Sequence, residues 1–228
     1  MFERVAVLFD IDGTLINTGG AGAESWKLAF DELYRIPADI GNFTDTGMTD
    51  PAVGRATFEA VLEREPKRHE FARLLERRLH YLHETVEGSE DYVVLPGVEE
   101  LLPKLLGEGY LLGLVTGNVE AAAHIKLHRA RLNRFFSFGG YGSDSDDRAE
   151  LTRTALKRAS LVYGEEIAPP QAITVGDTPL DVKGAHAAQM ECVGVASHHF
   201  DESQLREAGA DYVIASLAEG LPGLGARA

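Results

Sequence analysis

The chain has 228 residues, 44% of them hydrophobic and 25% charged, which is the composition of a folded globular protein. Its net charge of −14 at pH 7 disfavours broad electrostatic binding to nucleic acid or to an anionic membrane. The sequence contains no membrane-length apolar run, no secretion-signal pattern and only one cysteine, Cys192, so we expect a cytoplasmic protein without an internal disulfide.

Short apolar segments alternate with helical patterns through most of the chain. Four of the segments predict fully buried β-strands, and a fifth is a weaker candidate. Strands that alternate with helices indicate βαβ units and a parallel sheet, which is an α/β fold. The predicted strands are residues 5–9, 111–115, 172–175 and 192–195, with the weaker candidate at 135–138, and the predicted helices between them are 98–106, 119–130 and 151–162.

One long stretch breaks this alternation. Residues 17–92 show no convincing strand, whereas their apolar residues recur at helical spacing. We therefore expect a core domain formed by residues 1–16 and 93–228, with residues 17–92 inserted as a separate helical domain. The helices of this insert are predicted at residues 23–33, 51–62 and 71–86.

Polar residues follow several predicted strands at the points where those strands end. Asp10 and Asp12 come directly after the first strand, where burying a charge is costly unless something there uses it. Ligands of parallel α/β sheets bind beyond the carboxyl ends of the strands, so we expect residues from different strands to share one crevice. The remaining residues are Thr116, Gly117 and Asn118 after the strand at 111–115, Arg148 after a Ser/Asp-rich segment, and Asp177 and Asp181 after the strand at 172–175.

A crevice of this composition has the chemistry of a metal-assisted phosphoryl-transfer site. Several carboxylates cannot all stay ionised in one pocket without a cation, and an oxygen-rich site suits Mg²⁺. One carboxylate can attack phosphorus, while a neighbour two residues away protonates the leaving group and then activates water. A threonine hydroxyl, backbone N–H groups and a guanidinium are suitable donors to phosphoryl oxygens.

These residues resemble the pattern of the haloacid dehalogenase superfamily. That pattern is DxDGT on the first strand, Thr or Ser ending the second, a later basic residue, and GDxxxD, which here correspond to residues 10–14, Thr116, Arg148 and residues 176–181. The resemblance implies a Rossmann-like three-layer core with a parallel sheet, and it implies that the helical insert is an α-helical cap domain. Residues 20–22, 47–50 and 114–118 are similar to those of the phosphoglycolate-phosphatase-like subgroup.

The resemblance implies the roles of the acidic residues. Asp10 would be the nucleophile and a Mg²⁺ ligand. Asp12 would be the general acid and base, with its backbone carbonyl also on the metal. Asp177 would complete the metal site, and Asp181 would support that site from nearby.

The resemblance also implies which residues surround the phosphoryl group. Thr116, with Gly117 and Asn118, would bind that group. Gly13 would supply the tight turn after the first strand, and Thr14 would stabilise the loop.

The basic residue departs from the superfamily pattern, which usually has lysine at this point. Arg148 lies before Asp177 where a positive charge is needed, although its planar fork contacts oxygens differently from an ammonium group. Lys157 is a rival, but it falls well inside a predicted helix, where we expect it to face solvent. Arg148 is therefore the expected phosphate-binding cation.

The function implied by the resemblance is a Mg²⁺-dependent phosphatase that hydrolyses a small phosphorylated metabolite, a phosphoglycolate-like phosphomonoester, through an aspartyl-phosphate. A phosphotransferase or mutase of the β-phosphoglucomutase type, and a non-catalytic binding protein on the same fold, stay open as alternatives. The presence of Asp12 argues against the superfamily's dehalogenases, which lack that aspartate. Thr49 and Asp50 either only begin a helix before Pro51 or also reach the substrate when the cap closes.

Overall fold

A computed structural model describes residues 4–224 of the chain. Its strands are β1 (Ala6–Phe9), β2 (Ile16–Asn17), β3 (Val93–Val94), β4 (Leu111–Thr116), β5 (Phe138–Tyr141), β6 (Ala172–Gly176), β7 (Glu191–Val195) and β8 (Tyr212–Ile214). Its α-helices are α1 (Ala21–Tyr34), α2 (Asp50–Leu62), α3 (Arg68–Gly88), α4 (Val98–Gly107), α5 (Glu120–His128), α6 (Arg148–Tyr163), α7 (Pro179–Ala187) and α8 (Glu202–Glu207). None of these helices combines the length and apolarity that a membrane span requires.

A six-stranded parallel sheet forms the centre of the fold, in the order β5-β4-β1-β6-β7-β8. Strand β1 lies in the middle, and its last residue, Phe9, is in register with Leu114 of β4 and Val175 of β6. The loops that follow β1, β4 and β6 therefore leave the sheet side by side at its carboxyl edge. The α/β fold with a parallel sheet that the sequence predicts is confirmed.

The two faces of the sheet are covered by helices, which explains why β1 is apolar at every position. Ala6 and Leu8 pack into the apolar cluster that includes the α6 residues. Val7 and Phe9 point to the other face, where residues of α4 and α5 cover them. Burial of each large apolar side chain contributes roughly 1.5–3 kcal/mol to the stability of the fold. A strand that is buried on both faces therefore has apolar residues at consecutive positions.

Helices α1, α2 and α3, which we call the cap, are inserted between β2 and β3. These two short strands pair antiparallel, with Ile16 opposite Val94, and so bring the ends of the insert together. The cap has its own apolar cluster, built around Trp26, Phe30 and Phe58. Helix α3 also packs against α5 of the core through a second, smaller cluster.

The structure differs from the sequence prediction at one strand and adds others. The weak strand predicted at 135–138 is wrong in position, because Leu132–Phe135 is a 3₁₀ helix and β5 begins at Phe138. The glycines of β5 give no hydrophobic signal, so a hydrophobicity pattern does not locate this strand. Glycine is required there, because a Cβ atom at Gly140 would lie 1.9 Å from the carbonyl oxygen of Leu151 in α6. Strands β2, β3 and β8 were not predicted, because each has only two or three residues.

Candidate active site

The loop after β1 is a tight turn that presses against Asp177. The carbonyl of Ile11 accepts backbone hydrogen bonds from Leu15 and Ile16, which curls the chain back on itself. Gly13 has φ 80°, and a Cβ atom there would lie 2.2 Å from Oδ2 of Asp177. Only glycine fits both the backbone conformation and the contact. Thr14 is fully buried inside the turn.

Three buried carboxylates meet where the loops after β1 and β6 come together. One oxygen each from Asp10, Asp177 and Asp181 lies within 4.8 Å of the others. Asp181 reaches this point from the first turn of α7, where it forms a capping box with Thr178. The sequence prediction that Asp10 and Asp177 share one crevice therefore agrees with the geometry, and Asp181 is a direct member of the cluster.

The electrostatics of this cluster favour a bound cation. Burial and the negative charge of Asp181 raise the pKa of Asp10 well above its ordinary value. The same two causes raise the pKa of Asp177 to about 7. In addition, Oδ1 of Asp177 is buried and accepts no hydrogen bond from the described residues. A hard divalent cation fits these oxygens, because it would neutralise the crowded charges and ligate the unpartnered atom.

Arg148 contributes a guanidinium group to this cluster. Its Nη2 atom lies 3.0 Å from Oδ1 of Asp181, and its Nη1 atom lies 3.7 Å from Oδ1 of Asp10. The side chain is 10% exposed, and its Nε and Nη1 atoms are buried without a hydrogen-bond partner among residues 4–224. Because Arg148 also lines the cavity beside Asp10, an anion in that cavity can accept hydrogen bonds from the guanidinium group. Lys157, the rival cation, is exposed on α6.

The loop after β4 links the second carboxylate of the DxD pair to the sheet. Asn118 donates from Nδ2 to Oδ2 of Asp12 at 2.8 Å and to Oγ1 of Thr116 at 2.9 Å. Thr116 is the last residue of β4 and is buried. Gly117 lies against the cap, because a Cβ atom there would be 2.8 Å from the carbonyl oxygen of Met48.

Lys126 of α5 is a site residue that the sequence reasoning missed. Its Nζ atom lies 2.7 Å from Oδ2 of Asp12. Burial raises the pKa of Asp12, but Lys126 and the hydrogen bond from Asn118 outweigh burial and hold that pKa below its ordinary value. The sequence carried one signal, because Lys126 falls on the apolar stripe of its helix at the spacing of Val119 and Ala123.

The first turn of α2 joins the cap to the core. Thr49 caps this helix by accepting from the backbone N–H of Ala52, and its hydroxyl also donates to Asp146 of the core at 2.6 Å. Asp50 accepts from Arg78 of α3 and from the backbone N–H at position 119, both at 2.9 Å. The two residues begin the helix, as one of the open alternatives held, and they also bring it to the core site.

These residues enclose two adjoining cavities. The smaller cavity, about 130 Å³, is lined by Asp10, Thr116, Lys126 and Arg148 from the core together with cap residues 46–48 and Asp50. The larger cavity, about 430 Å³, shares Asp12 and Thr46 with the first and continues past Asp177 to His198. A cavity of about 560 Å³ elsewhere, beside Arg153 and Glu166, holds none of the clustered aspartates.

A parallel α/β sheet with an acidic cluster that fits a cation, and with a cavity lined by basic residues beside it at the carboxyl edge, is the arrangement expected of a phosphoryl-transfer enzyme. Residues 7–195 match the haloacid dehalogenase-like hydrolase family, and the chain belongs to this family. The chain is 27% identical, over 219 residues, to a phosphoglycolate phosphatase of Pseudomonas fluorescens, an alignment that covers 95% of this chain and 78% of that protein.

Solved structures show the same fold. A predicted phosphoglycolate phosphatase from Haemophilus somnus superposes with a TM-score of 0.74 at 21% identity, over 96% of this chain and 97% of that one. A β-phosphoglucomutase from Clostridium difficile superposes with a TM-score of 0.73 at 19% identity, over 96% and 93% of the two chains. The protein is thus an enzyme of the phosphatase class within its family.

Proposed function

We propose that this enzyme is a Mg²⁺-dependent phosphatase that hydrolyses a small phosphoglycolate-like phosphomonoester through an aspartyl-phosphate on Asp10. The observation that carries the proposal is the separation of the two carboxylates of the DxD pair. Asp10 lies in the acidic cluster with Asp177 and Asp181, whereas the side chain of Asp12 is bound by Lys126 and Asn118. This difference in surroundings supports a role for Asp10 as the nucleophile beside the proposed cation site and a role for Asp12 in proton transfer.

The acidic cluster supplies the proposed metal site. The carboxylates of Asp10 and Asp177 and the backbone carbonyl of Asp12 would hold Mg²⁺, with Asp181 supporting them. When bound, Mg²⁺ neutralises the carboxylates and polarises a phosphoryl oxygen. Arg148 offers the phosphoryl group two buried donors that have no hydrogen-bond partner within residues 4–224. Thr116, Gly117 and Asn118 line the same small cavity.

The reaction would proceed in two steps. In the first, an oxygen of Asp10 attacks phosphorus, the bond from phosphorus to the ester oxygen breaks, and that oxygen takes a proton from Asp12. In the second, Asp12 takes a proton from water, the water oxygen attacks phosphorus, and inorganic phosphate leaves Asp10. Lys126 and Asn118 hold the pKa of Asp12 below its ordinary value, and the negative charge of an arriving phosphate would shift that pKa upward, which favours the acid role.

The cavities suggest the size of the substrate. The cavity of about 130 Å³ beside Asp10 suits a phosphoryl group, and the adjoining cavity of about 430 Å³ suits a small organic part. Cap residues 46–48 and Asp50 contribute to the smaller cavity. We further propose that residues 17–92 act as a cap domain that closes over the bound ester and excludes water.

Phosphate release from purified protein tests this function. We expect Mg²⁺-dependent release of inorganic phosphate from 2-phosphoglycolate or another small phosphomonoester, loss of release in EDTA, and no release by Asp10→Asn. Isomerisation of a sugar phosphate without net phosphate release would instead indicate a mutase. Turnover of no phosphorylated compound by a folded, Mg²⁺-binding protein would indicate a binding protein.

A further inference from the structure

The site contains a second buried cationic side chain, Lys126. The proposed binding of phosphate by Arg148 does not explain why this lysine is buried there. Lys126 lies in the last turn of α5, and its side chain is only 7% exposed. Its stem shares the buried face of α5 with Ala122 and Ala123. The ammonium group emerges at the small cavity, beside the start of the cap helix α1, where a Cβ atom on Gly22 would come within 3.8 Å of Nζ.

The two cations of the site have different partners. Arg148 contacts Asp10 and Asp181, the nucleophile side of the cluster. Lys126 forms its ion pair with Asp12, at 2.7 Å. Lys126 therefore contacts the proposed acid and base, whereas Arg148 contacts the proposed nucleophile and the acidic cluster.

The contacts of Asp12 leave one of its oxygens free. Lys126 Nζ and Asn118 Nδ2 both donate to Oδ2, at 2.7 and 2.8 Å. Within residues 4–224, Oδ1 accepts no side-chain hydrogen bond, and the Asp12 side chain is 41% exposed. Two donors on a single oxygen fix the orientation of the carboxylate and leave the other oxygen to exchange a proton.

Stability alone gives little reason to bury this lysine. Removing an ammonium group from water costs several kcal/mol, and replacing a buried ion pair by apolar residues is often neutral or stabilising. A methionine at position 126 would place apolar atoms on the same buried face of α5 without that cost. The contact of this buried charge with Asp12 therefore points to a role in the reaction.

We propose that Lys126 is a positioning residue that, together with Asn118, holds Oδ2 of Asp12 so that Oδ1 faces the leaving group and the attacking water. The inference rests on the proposed function, since it concerns the step in which the ester oxygen takes its proton from Asp12. Lys126 acts through Asp12 and does not itself form or break a bond.

The test compares two phosphate esters that differ in how much their leaving groups need a proton. An alkyl ester such as glycerol 2-phosphate releases a strongly basic alkoxide, whereas p-nitrophenyl phosphate releases a weakly basic phenolate. The ratio kcat/KM reports the steps up to the transfer of the phosphoryl group to Asp10, which include this protonation. General acid catalysis contributes about 10²–10⁴-fold, so Lys126→Met should lower kcat/KM about 100-fold or more for the alkyl ester and less than about 10-fold for the aryl ester.

Two further variants separate positioning from folding. Lys126→Arg keeps a cationic donor and should recover a large part of the alkyl-ester activity. Lys157→Met removes an exposed lysine of the core and should leave both esters unchanged. Mg²⁺ affinity, measured by calorimetry, should not fall in Lys126→Met, because Lys126 is not part of the Asp10, Asp177 and Asp181 cluster and loss of a nearby positive charge does not weaken cation binding.

Several results would overturn the inference. Equal losses for the two esters would show that Lys126 acts on the phosphoryl group, and no loss for either would show that Asp12 needs no such support. Failure of Lys126→Arg to recover any alkyl-ester activity would also contradict it. These outcomes differ from failure of the proposed function, in which the unaltered enzyme would release phosphate from neither ester or Asp10→Asn would remain active.

Discussion

The carboxylate of Asp50, at the start of cap helix α2, accepts a hydrogen bond from the backbone N–H of Val119, at the start of core helix α5, at 2.9 Å. The other oxygen of Asp50 accepts from Arg78, whose side chain is only 1% exposed. A single carboxylate thus satisfies a helix N-terminus of the core and a buried cation of the cap. This contact ties the cap to the same loop that carries Thr116 and Asn118.

Loss of this carboxylate should destabilise the protein strongly. Asp50→Ala leaves the guanidinium of Arg78 buried without its partner, so we expect a loss of about 3–5 kcal/mol in the free energy of unfolding measured in urea. Glu32→Ala is the matched control, because Glu32 pairs with Arg77 at the surface of the same cap and exposed pairs are worth less than about 1 kcal/mol. Asp50→Ala combined with Arg78→Met should recover most of the lost stability. Equal effects of the two alanine variants would contradict this account.

Arg148 should control the affinity for phosphate. Its Nε and Nη1 atoms are buried and have no hydrogen-bond partner in the part of the chain that the structure describes, and a hydrogen bond to a charged group contributes about 1.5–3 kcal/mol. Arg148→Ala should therefore weaken the binding of inorganic phosphate, measured by calorimetry with Mg²⁺ present, by about 10- to 100-fold. Lys157→Ala should leave that binding unchanged. Unaltered KM and kcat in the Arg148→Ala enzyme would show that Arg148 does not bind the phosphoryl group.

Protein stripped of divalent cations should lose stability as the pH rises. The pKa of Asp177 is about 7 in the folded protein, whereas a carboxyl in an unfolded chain has a pKa of about 3.9. Between these values the unfolded chain releases a proton that the folded chain retains, so raising the pH favours unfolding. The Tm in EDTA should fall between about pH 4 and pH 7, the range over which the Asp177 carboxyl accounts for this proton release.

Two comparisons assign this slope to the acidic cluster. Asp177→Asn should flatten it, because the asparagine does not ionise. Added Mg²⁺ should raise the Tm more at pH 8 than at pH 5, since protons compete with the cation for the same oxygens. A Tm in EDTA that is constant or rises across this range would show that the clustered carboxylates are not destabilised by their neighbours.

The contact between Gly13 and Asp177 can be tested separately from backbone strain. Gly13→Ala adds a Cβ atom where only 2.2 Å separates it from the Asp177 carboxylate, on a backbone with φ 80°. Gly20→Ala is the matched control, because Gly20 has φ 85° and no atom of the described residues lies within 4 Å of an added Cβ. Both variants should lose about 1–2 kcal/mol from the left-handed backbone, but only Gly13→Ala should also lower Mg²⁺ affinity. Equal Mg²⁺ affinities for the two variants would contradict a role for this close approach.

The sheet and the acidic cluster were readable from the sequence for one physical reason. Parallel strands buried on both faces are continuous apolar runs, and their carboxyl ends meet at one edge. The pattern around Asp10 and Asp177 thus predicted both the strands and the meeting of the two carboxylates. The edge strand β5 was misplaced because close packing against α6 requires glycine there, and glycine carries no hydrophobic signal.

The sequence did not identify two of the buried cations, Lys126 and Arg78, or the contacts between the cap and the core. Lys126 and Arg78 both lie on apolar stripes of helices. A basic residue on such a stripe either finds a buried carboxylate or extends its charged end to solvent, and local spacing does not distinguish the two. Their partners, Asp12 and Asp50, come from distant parts of the chain and are fixed only by the tertiary fold.

The central claim is that Asp10 accepts the phosphoryl group, and trapping that group tests the claim most directly. The enzyme, supplied with Mg²⁺ and a phosphate ester, is quenched during turnover and treated with borohydride, which reduces an aspartyl-phosphate to homoserine. Mass spectrometry of the peptide that contains residue 10 should find homoserine at that position, and only when both the ester and Mg²⁺ were present. Turnover that leaves residue 10 unmodified while another side chain carries the phosphoryl group would contradict the account.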